Sequence, residues 1–465
     1  MRLRLQPLNH QPLRVAVVGS GPAGFYAAGA LLAAEPPAEV DLFERLPTPW
    51  GLVRLGVAPD HPKLKEVSRA FERIAIRPGF RFFGNVEVGR DLSHEELARL
   101  YDAVVYTVGA QTDRRLGIPR EDLPGSWSAT ELVAWYNGHP DYQELEFDLS
   151  GETAVVVGAG NVALDVLRML ALTREELDPT DATDASIEAI ASSGLRDLVM
   201  LARRGPAQAA FTTPELKELA ELAGADVDVD PAQLELDAVS EASLEHDTNA
   251  RRNVEVLREF AAREPAGKPK VISLRFCVSP VAILGKERVE GVELVRNRLV
   301  DDGRGGLKAV PGEERETMPC SLVFRSVGYH GVPLPGVPFD ERRGTLPNEG
   351  GRVLDASGDP IPGVYCAGWI KRGPTGVIGT NKKDATESVH LLLEDAAAGQ
   401  LPRSDESADA IVDLLAERDA DAVLYAGWEA IDAAERGRGT ELGRPRVKLC
   451  TWEALLAAAR DAART

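Results

Sequence analysis

The sequence predicts an α/β protein built from two parallel-sheet units, one inserted into the other. Three observations predict it. A glycine-rich turn joins an apolar run to a helix-forming run at residues 14–34, the same arrangement recurs at 153–171, and the run after each turn ends on side chains of opposite charge.

The first turn reads RVAVVGSGPAG at residues 14–24. Its apolar residues at 15–18 suit a short buried strand, and FYAAGALLAA continues as a helix. Gly19, Gly21 and Gly24, with Ala23 between the last two, complete the GxGxxG pattern. In this pattern the first glycine makes a tight turn, the second admits a pyrophosphate and the third lets helix pack on strand. The helix N-terminus then turns free N–H groups toward the phosphates. The next strand, EVDLFE, ends on Glu44, twenty residues beyond Gly24. A carboxylate at that point accepts hydrogen bonds from ribose hydroxyls.

The second copy, TAVVVGAGNVALDVLRMLA, begins at residue 153. Gly158 and Gly160 fill the first two glycine positions, and Ala163 takes the third, which the pattern permits. Here the following strand, DLVMLA, ends on Arg203 and Arg204. An acid there would repel the 2′-phosphate of NADP, whereas paired guanidiniums grip it with charge-assisted hydrogen bonds. The competing reading of the two arginines is a solvated turn. Residues 172–196 lengthen this copy and read as a polar loop with a short helix. The prediction is therefore two Rossmann-like dinucleotide-binding domains, the first for FAD and the second for NADP(H).

Two further apolar runs, YDAVVYTVGA (101–110) and SLVFRSVGY (321–329), mark the crossings between them. The division that follows is a discontinuous FAD-binding domain of residues 1–110 and 330–465, with an NADP-binding domain of 111–329 inserted. Arg114, just past the first crossing, either faces the cofactor channel or is a surface arginine. VYCAGW (364–369) reads as a buried strand, and the following GPTGVIGT opens a long helix around Gly376. Trp369 at that strand end is either core or a ring stacked near flavin or nicotinamide. Residues 405–465 read as alanine-rich amphipathic helices without legible chemistry.

Bulk properties narrow the function. A chain of 465 residues suggests two or three domains. Its formal net charge of -20 argues against sequence-independent nucleic-acid binding. The cysteines Cys277, Cys320, Cys366 and Cys450 are dispersed, which suits small buried hydrophobes and predicts no metal, iron–sulfur cluster or dithiol relay on the chain. No apolar run approaches 18 residues, so no membrane span is expected. The first 14 residues carry three arginines but no apolar core, so no signal peptide is expected and the cytoplasm is the default location.

Together these residues resemble the adrenodoxin reductase-type ferredoxin–NADP reductases, and the resemblance spans nearly the whole chain. Its most specific stretches are VGSGPAG, LPTPWGLVRLGVAPDHPK (46–63), GNVALD (160–165), RRGPAQAAFTTPELKEL (203–219) and GWIKRGPTGVIGT (368–380). The resemblance implies transfer of a hydride from NADPH to FAD and of single electrons onward to an iron–sulfur ferredoxin. It implies FAD contacts at Glu44, Gly51 and Leu52, with Val88 beside the adenine. Trp369, Gly376, Val377 and Ile378 would line the isoalloxazine. Asn161, Val162 and Ala163 would support NADP, with Arg203, Arg204 and Glu215 around its adenosine and Arg114 on the pyrophosphate side. His61 and Glu218 would serve proton handling or nicotinamide placement, although His61 in PDHPK reads equally as a hydrogen-bonding strut. Residues 251–270 hold six Lys or Arg against three Glu, and there Arg251 and Arg252 would dock the ferredoxin. A quinone or small-molecule acceptor, or a redox sensor without turnover, are the alternatives left open.

Overall fold

The computed structural model describes residues 12–303 and 306–461, so the N-terminal segment read above lies largely outside the described residues. Two sheets organise the chain. The first runs in the order Asn348–Glu349, Arg352–Leu354, Pro360–Cys366, Ala103–Tyr106, Arg14–Val18, Glu39–Phe43, Phe80–Phe83. Its last five strands are parallel, and the first two add on as an antiparallel edge. The second sheet is parallel throughout, in the order Ser126–Ser128, Leu322–Arg325, Thr153–Val157, Asp197–Ala202, Lys270–Phe276, Ala225–Asp228.

Continuous apolar strands follow from burial on both faces of a sheet. Val15 and Val17 pack into one cluster with Phe25, Leu31 and Trp428, while Ala16 and Val18 pack into another with Phe83, Leu97 and Ile370. The second sheet repeats the arrangement, with Ala154 and Val156 on one side and Val155 and Val157 on the other. Each parallel strand leads to a turn at its C-terminal edge, which is where ligands meet such sheets.

The chain passes between the sheets by two adjacent links. Thr112–Asp113 pairs antiparallel with Tyr329–His330, so both passages are tied at one point. A three-stranded antiparallel sheet, Val278–Leu284, Gly291–Asp301 and Leu307–Pro319, was not anticipated from the sequence. Residues 172–196, expected as a polar loop with a short helix, are more ordered than that. They form helices Arg174–Leu177 and Asp184–Ala191, because Leu177, Ile187 and Ile190 are spaced to bury against the second core.

The C-terminal helices Ala410–Glu417, Tyr425–Glu441 and Trp452–Asp461 cover the first sheet and carry ionic ties. Arg54 meets Glu435 in a buried bidentate pair at 2.8 and 2.5 Å. Lys65 and Lys448 both reach Asp181, at 2.6 and 3.2 Å, so residues far apart in the chain meet just ahead of the helix Asp184–Ala191. Removing one member of such a buried pair costs about 3–5 kcal/mol, because the other charge is stranded.

Candidate functional site

The two glycine turns are built alike. Gly19 has φ +103, and a Cβ there would lie 2.8 Å from the carbonyl of Thr107, the residue just past the neighbouring strand. Gly158 has φ +141, and its Cβ would lie 2.1 Å from the carbonyl of Ser326, again just past the neighbouring strand. Both turns are thus pressed against backbone that no side chain could displace. Gly21 and Gly160 face open space, and each precedes a helix, Pro22–Leu31 or Asn161–Ala171, without a side-chain cap. The first helix turn in each case keeps its N–H groups for a ligand.

Around the first turn, Glu44 Oε2 accepts from the N–H and the hydroxyl of Ser20 at 3.0 and 2.6 Å, and Oε1 accepts from the N–H of Leu46 at 3.0 Å. The carboxylate is oriented by the glycine turn itself and keeps further lone pairs. The Val86 N–H donates to the Glu44 carbonyl at 2.9 Å, which brings the chain leading to Val88 alongside; Val88 itself is buried against the first sheet. Trp50 and Gly51 both take positive φ, +83 and +50, and a Cβ on Gly51 would lie 3.0 Å from Gly21 Cα. Trp50 can hold this conformation because its ring is locked against Phe25, Phe71 and Trp428. The kink leaves Leu52 39% exposed.

The C-terminal motif closes on the same turn. Gly368 has φ +78, and a Cβ there would meet the Ala23 methyl at 2.6 Å. Trp369 opens the short helix Trp369–Arg372, its ring 5.2 Å from that of Tyr329. Its indole Nε1 is buried without a partner among the described residues. Val377 is 61% exposed, and Ile378 packs against the first core. The long helix runs Thr380–Ala397 and so starts four residues later than expected. Gly376 has φ +81, which a right-handed helix excludes, and it forms the turn before it. An open glycine turn, an oriented carboxylate, exposed aliphatic side chains and an orphaned indole N–H suit a large, partly apolar nucleotide such as FAD.

Around the second turn, Asn161 accepts from the Thr212 N–H at 2.8 Å, and the Ala210 N–H donates to Ala159 at 2.7 Å. These bonds tie the 203–219 segment to the glycines. Val162 is half-buried against the second core and Ala163 fully within it. Arg203 is exposed and Arg204 half-buried, and among the described residues neither forms an ion pair with a carboxylate. Burial and the neighbouring Arg203 hold Arg204 below the usual guanidinium range. Two adjacent cations without a counter-charge suit a phosphate. Arg114 is exposed, its N–H bonded to the Gly328 carbonyl at 2.9 Å where the two links run together.

His61, Glu215 and Glu218 come together. His61 Nε2 lies 2.7 Å from Glu218 Oε2 and 3.8 Å from Glu215 Oε2. Glu215, expected beside the adenosine with the two arginines, has its carboxylate near Arg168 and His61. The reason is spacing: three residues before Glu218 on the helix Thr213–Glu218, it shares that face. Arg168, which sequence reasoning missed, is the hub. Its buried guanidinium pairs with Asp60 at 2.6 Å and Asp165 at 2.8 Å and lies 3.4 Å from both Glu215 and Glu218. Burial pushes Asp165 up, and burial with the Asp165 charge pushes Glu215 up. Burial also acts upward on Asp60, but Arg168 outweighs it and lowers that carboxyl. One signal could have found Arg168: a lone cation amid VLRML on a buried helix needs acidic partners.

Residues 13–177 match the family described as pyridine nucleotide-disulphide oxidoreductase. The NADPH-ferredoxin reductase FprA of Mycobacterium tuberculosis is 50% identical over 457 residues, covering 96% of this chain and 99% of that protein. The chain belongs to the NADPH–ferredoxin reductase family. The mitochondrial NADPH:adrenodoxin oxidoreductase of Arabidopsis thaliana is 42% identical over 466 residues, covering 97% of this chain and 96% of its own. The structure of Mycobacterium tuberculosis FprA in complex with NADPH superposes with a TM-score of 0.92 at 48% identity, covering 97% of this chain and all of that one. In this NADPH–ferredoxin reductase all four cysteines are free thiols, and burial raises the pKa of each.

The basic stretch 251–270 divides in the fold. Arg251 and Arg252 lie exposed on the helix Thr248–Ala261 with no ion pair among the described residues. Lys268 and Lys270 turn inward and donate to the carbonyls of Leu222 and Leu170 at 2.5 and 2.7 Å. The surface charge is therefore smaller than the residue count suggested. Among the described residues no helix is long and apolar enough to cross a membrane.

Proposed function

We propose that this protein is a ferredoxin–NADP(+) reductase that accepts a hydride from NADPH on FAD and delivers single electrons to an iron–sulfur ferredoxin. The observation that carries it is the charge reversal between two like-built glycine turns, Glu44 at one and Arg203 with Arg204 at the other. FAD, when bound, supplies the exchange between a two-electron hydride donor and one-electron acceptors. The chain's own work is to hold and orient. Glu44 takes a ribose, the N–H groups after Gly21 take a pyrophosphate, and Leu52, Val377 and Trp369 flank the ring system.

Arg203 and Arg204 hold the 2′-phosphate of NADP(H), Asn161 to Ala163 support its pyrophosphate, and Arg114 completes that side. His61 and Glu218, with Nε2 and Oε2 2.7 Å apart, handle a proton or place the nicotinamide, and Arg168 fixes both. Arg251 and Arg252 steer an acidic ferredoxin toward the flavin. FAD is assigned to residues 1–110 and 330–465 and NADP(H) to residues 111–329. The cytoplasm suits the four free thiols.

The test is NADPH-driven reduction of cytochrome c by the purified flavoprotein, with and without an added [2Fe-2S] or [3Fe-4S] ferredoxin, repeated with NADH. Strong stimulation by ferredoxin and a marked preference for NADPH are expected. Turnover indifferent to ferredoxin would move the function to another acceptor.

A further inference from the structure

The buried ionic ties of Arg54, Lys65 and Lys448 surround a cavity of about 40 Å³. Four cations line it, these three and Arg446, against a single carboxylate, Asp181. All four are withdrawn from solvent: the side chains of Lys448 and Arg54 are 1% and 4% exposed, and those of Lys65 and Arg446 16% and 18%. Two further carboxylates pair with the arginines. Glu435 takes Arg54 and Arg446, and Asp432 takes Arg446 but is shared with Arg436. When all these groups are charged, the four lining cations meet at most three carboxylates among the described residues. At least one positive charge is left over.

Two observations place that surplus at the cavity. The two lysines meet head to head, since both ammonium groups bond Asp181 and both reach Asn137 Oδ1, at 3.4 Å from Lys65 and 3.1 Å from Lys448. Burial pulls both amines down, Lys448 to about 7; Asp181 acts against it, and the charge of Arg54 adds to it in both. The second observation is on Arg54 itself. It commits Nη1 and Nη2 to Glu435, while its Nε is buried with no hydrogen-bond partner among the described residues. Cations that repel one another around a confined space, with an unmatched N–H donor among them, make an electrostatic well for an anion.

We infer that this cavity is a binding site for one small monovalent inorganic anion of the chloride class. The excess to be neutralised is a single charge, and the Asp181 carboxylate in the wall repels anything more highly charged, which disfavours sulfate and phosphate. At roughly 10–15 Å³ for each water-sized occupant, the space holds about three, enough for a halide with a water or two and too little for a nucleotide. Ser68 also lines the cavity and brings a hydroxyl donor, while Trp50 and Val53 add an apolar wall that keeps the local dielectric low. Arg54 and Lys65, Asp181, and Arg446 and Lys448 come from three segments far apart in sequence, so the anion binds only where the folded chain gathers them. Its binding therefore stabilises the fold.

The experiment is thermal unfolding of the FAD-loaded protein titrated with sodium chloride or sodium bromide. Sodium gluconate keeps the ionic strength constant, so that general screening does not change. A saturable rise in Tm of about 2 °C is expected with either halide. Two variants should lose that rise. Lys448→Met removes the surplus charge and leaves Asp181 its pair with Lys65. Ser68→Asp sets a carboxylate in the wall to take the anion's place; Ser68 opens the helix Ser68–Ala75, where an acid suits the helix dipole. A wild-type Tm indifferent to halide, or the full rise kept by the folded variants, would overturn the site. Crystals of the wild type grown in sodium bromide give a readout independent of any variant. An anomalous difference peak in contact with Lys65, Lys448 and Arg54 supports the site, and a cavity without one would overturn it.

Discussion

The first and second glycine turns make an internal comparison in which backbone is held constant and chemistry is varied. Both put a left-handed glycine against the carbonyl just past a neighbouring strand, and both leave the middle glycine open before an uncapped helix. They differ at the next strand's tip. The first carries a carboxylate already oriented by Ser20, and the second carries two guanidiniums with no carboxylate partner among the described residues. On the function proposed above, this architecture supplies generic affinity for a pyrophosphate, while one or two side chains some twenty or forty residues later decide which nucleotide binds.

The third glycine breaks the symmetry most sharply. A Cβ on Gly24 would lie 2.0 Å from the Gly19 carbonyl oxygen, whereas the second turn accommodates the methyl of Ala163. Gly24→Ala should cost roughly 3 kcal/mol or more in overpacking and yield protein without flavin. Ala163→Gly should cost only about 1 kcal/mol of helix propensity and leave flavin content unchanged. Flavin-to-protein ratio and Tm measured on both variants check this. Full flavin occupancy in Gly24→Ala would mean that the two turns are less alike than their backbones suggest.

Next comes the charge at the second tip. Charge-assisted hydrogen bonds are each worth about 1.5–3 kcal/mol. Removing both in Arg203→Ala/Arg204→Ala should raise KM for NADPH about 100-fold while changing that for NADH less than about three-fold. Steady-state kinetics with both nucleotides decide it; equal losses would assign the arginines to the fold.

Glu44→Gln probes the first tip with a smaller expected effect. The amide keeps acceptor capacity but loses the charge, so flavin affinity should fall about ten-fold, read from the rate of flavin loss on dilution. An unchanged affinity would show that Ser20 and the backbone, not the carboxylate, hold the ribose.

The smallest effect concerns charge that acts at a distance. Arg251→Glu/Arg252→Glu should slow association with ferredoxin about five-fold at low salt and hardly at all at high salt. Stopped-flow traces across a salt series test it. A salt-independent defect would point to a direct contact, making these arginines more like Arg203 and Arg204 than like steering charges.

Much of this was legible before the fold was known, for a physical reason. Glycine turns, strand-tip charges and buried apolar runs are local patterns, because φ, close approach and two-faced burial constrain neighbouring residues directly. That locality determined both nucleotide units, the positions of Glu44, Arg203 and Arg204, and Gly368–Ile378 as a separate motif. Tertiary structure alone decided the rest. The antiparallel sheet of residues 278–319 draws its pairing from a hairpin register that apolar runs do not reveal. Lys268 and Lys270 face inward because the backbone carbonyls of Leu222 and Leu170, distant in sequence, meet them there. Arg168 gathers Asp60, Asp165, Glu215 and Glu218 across 158 residues of chain because a buried guanidinium keeps its charge, and carboxylates from several segments converge on it to offset the lost hydration.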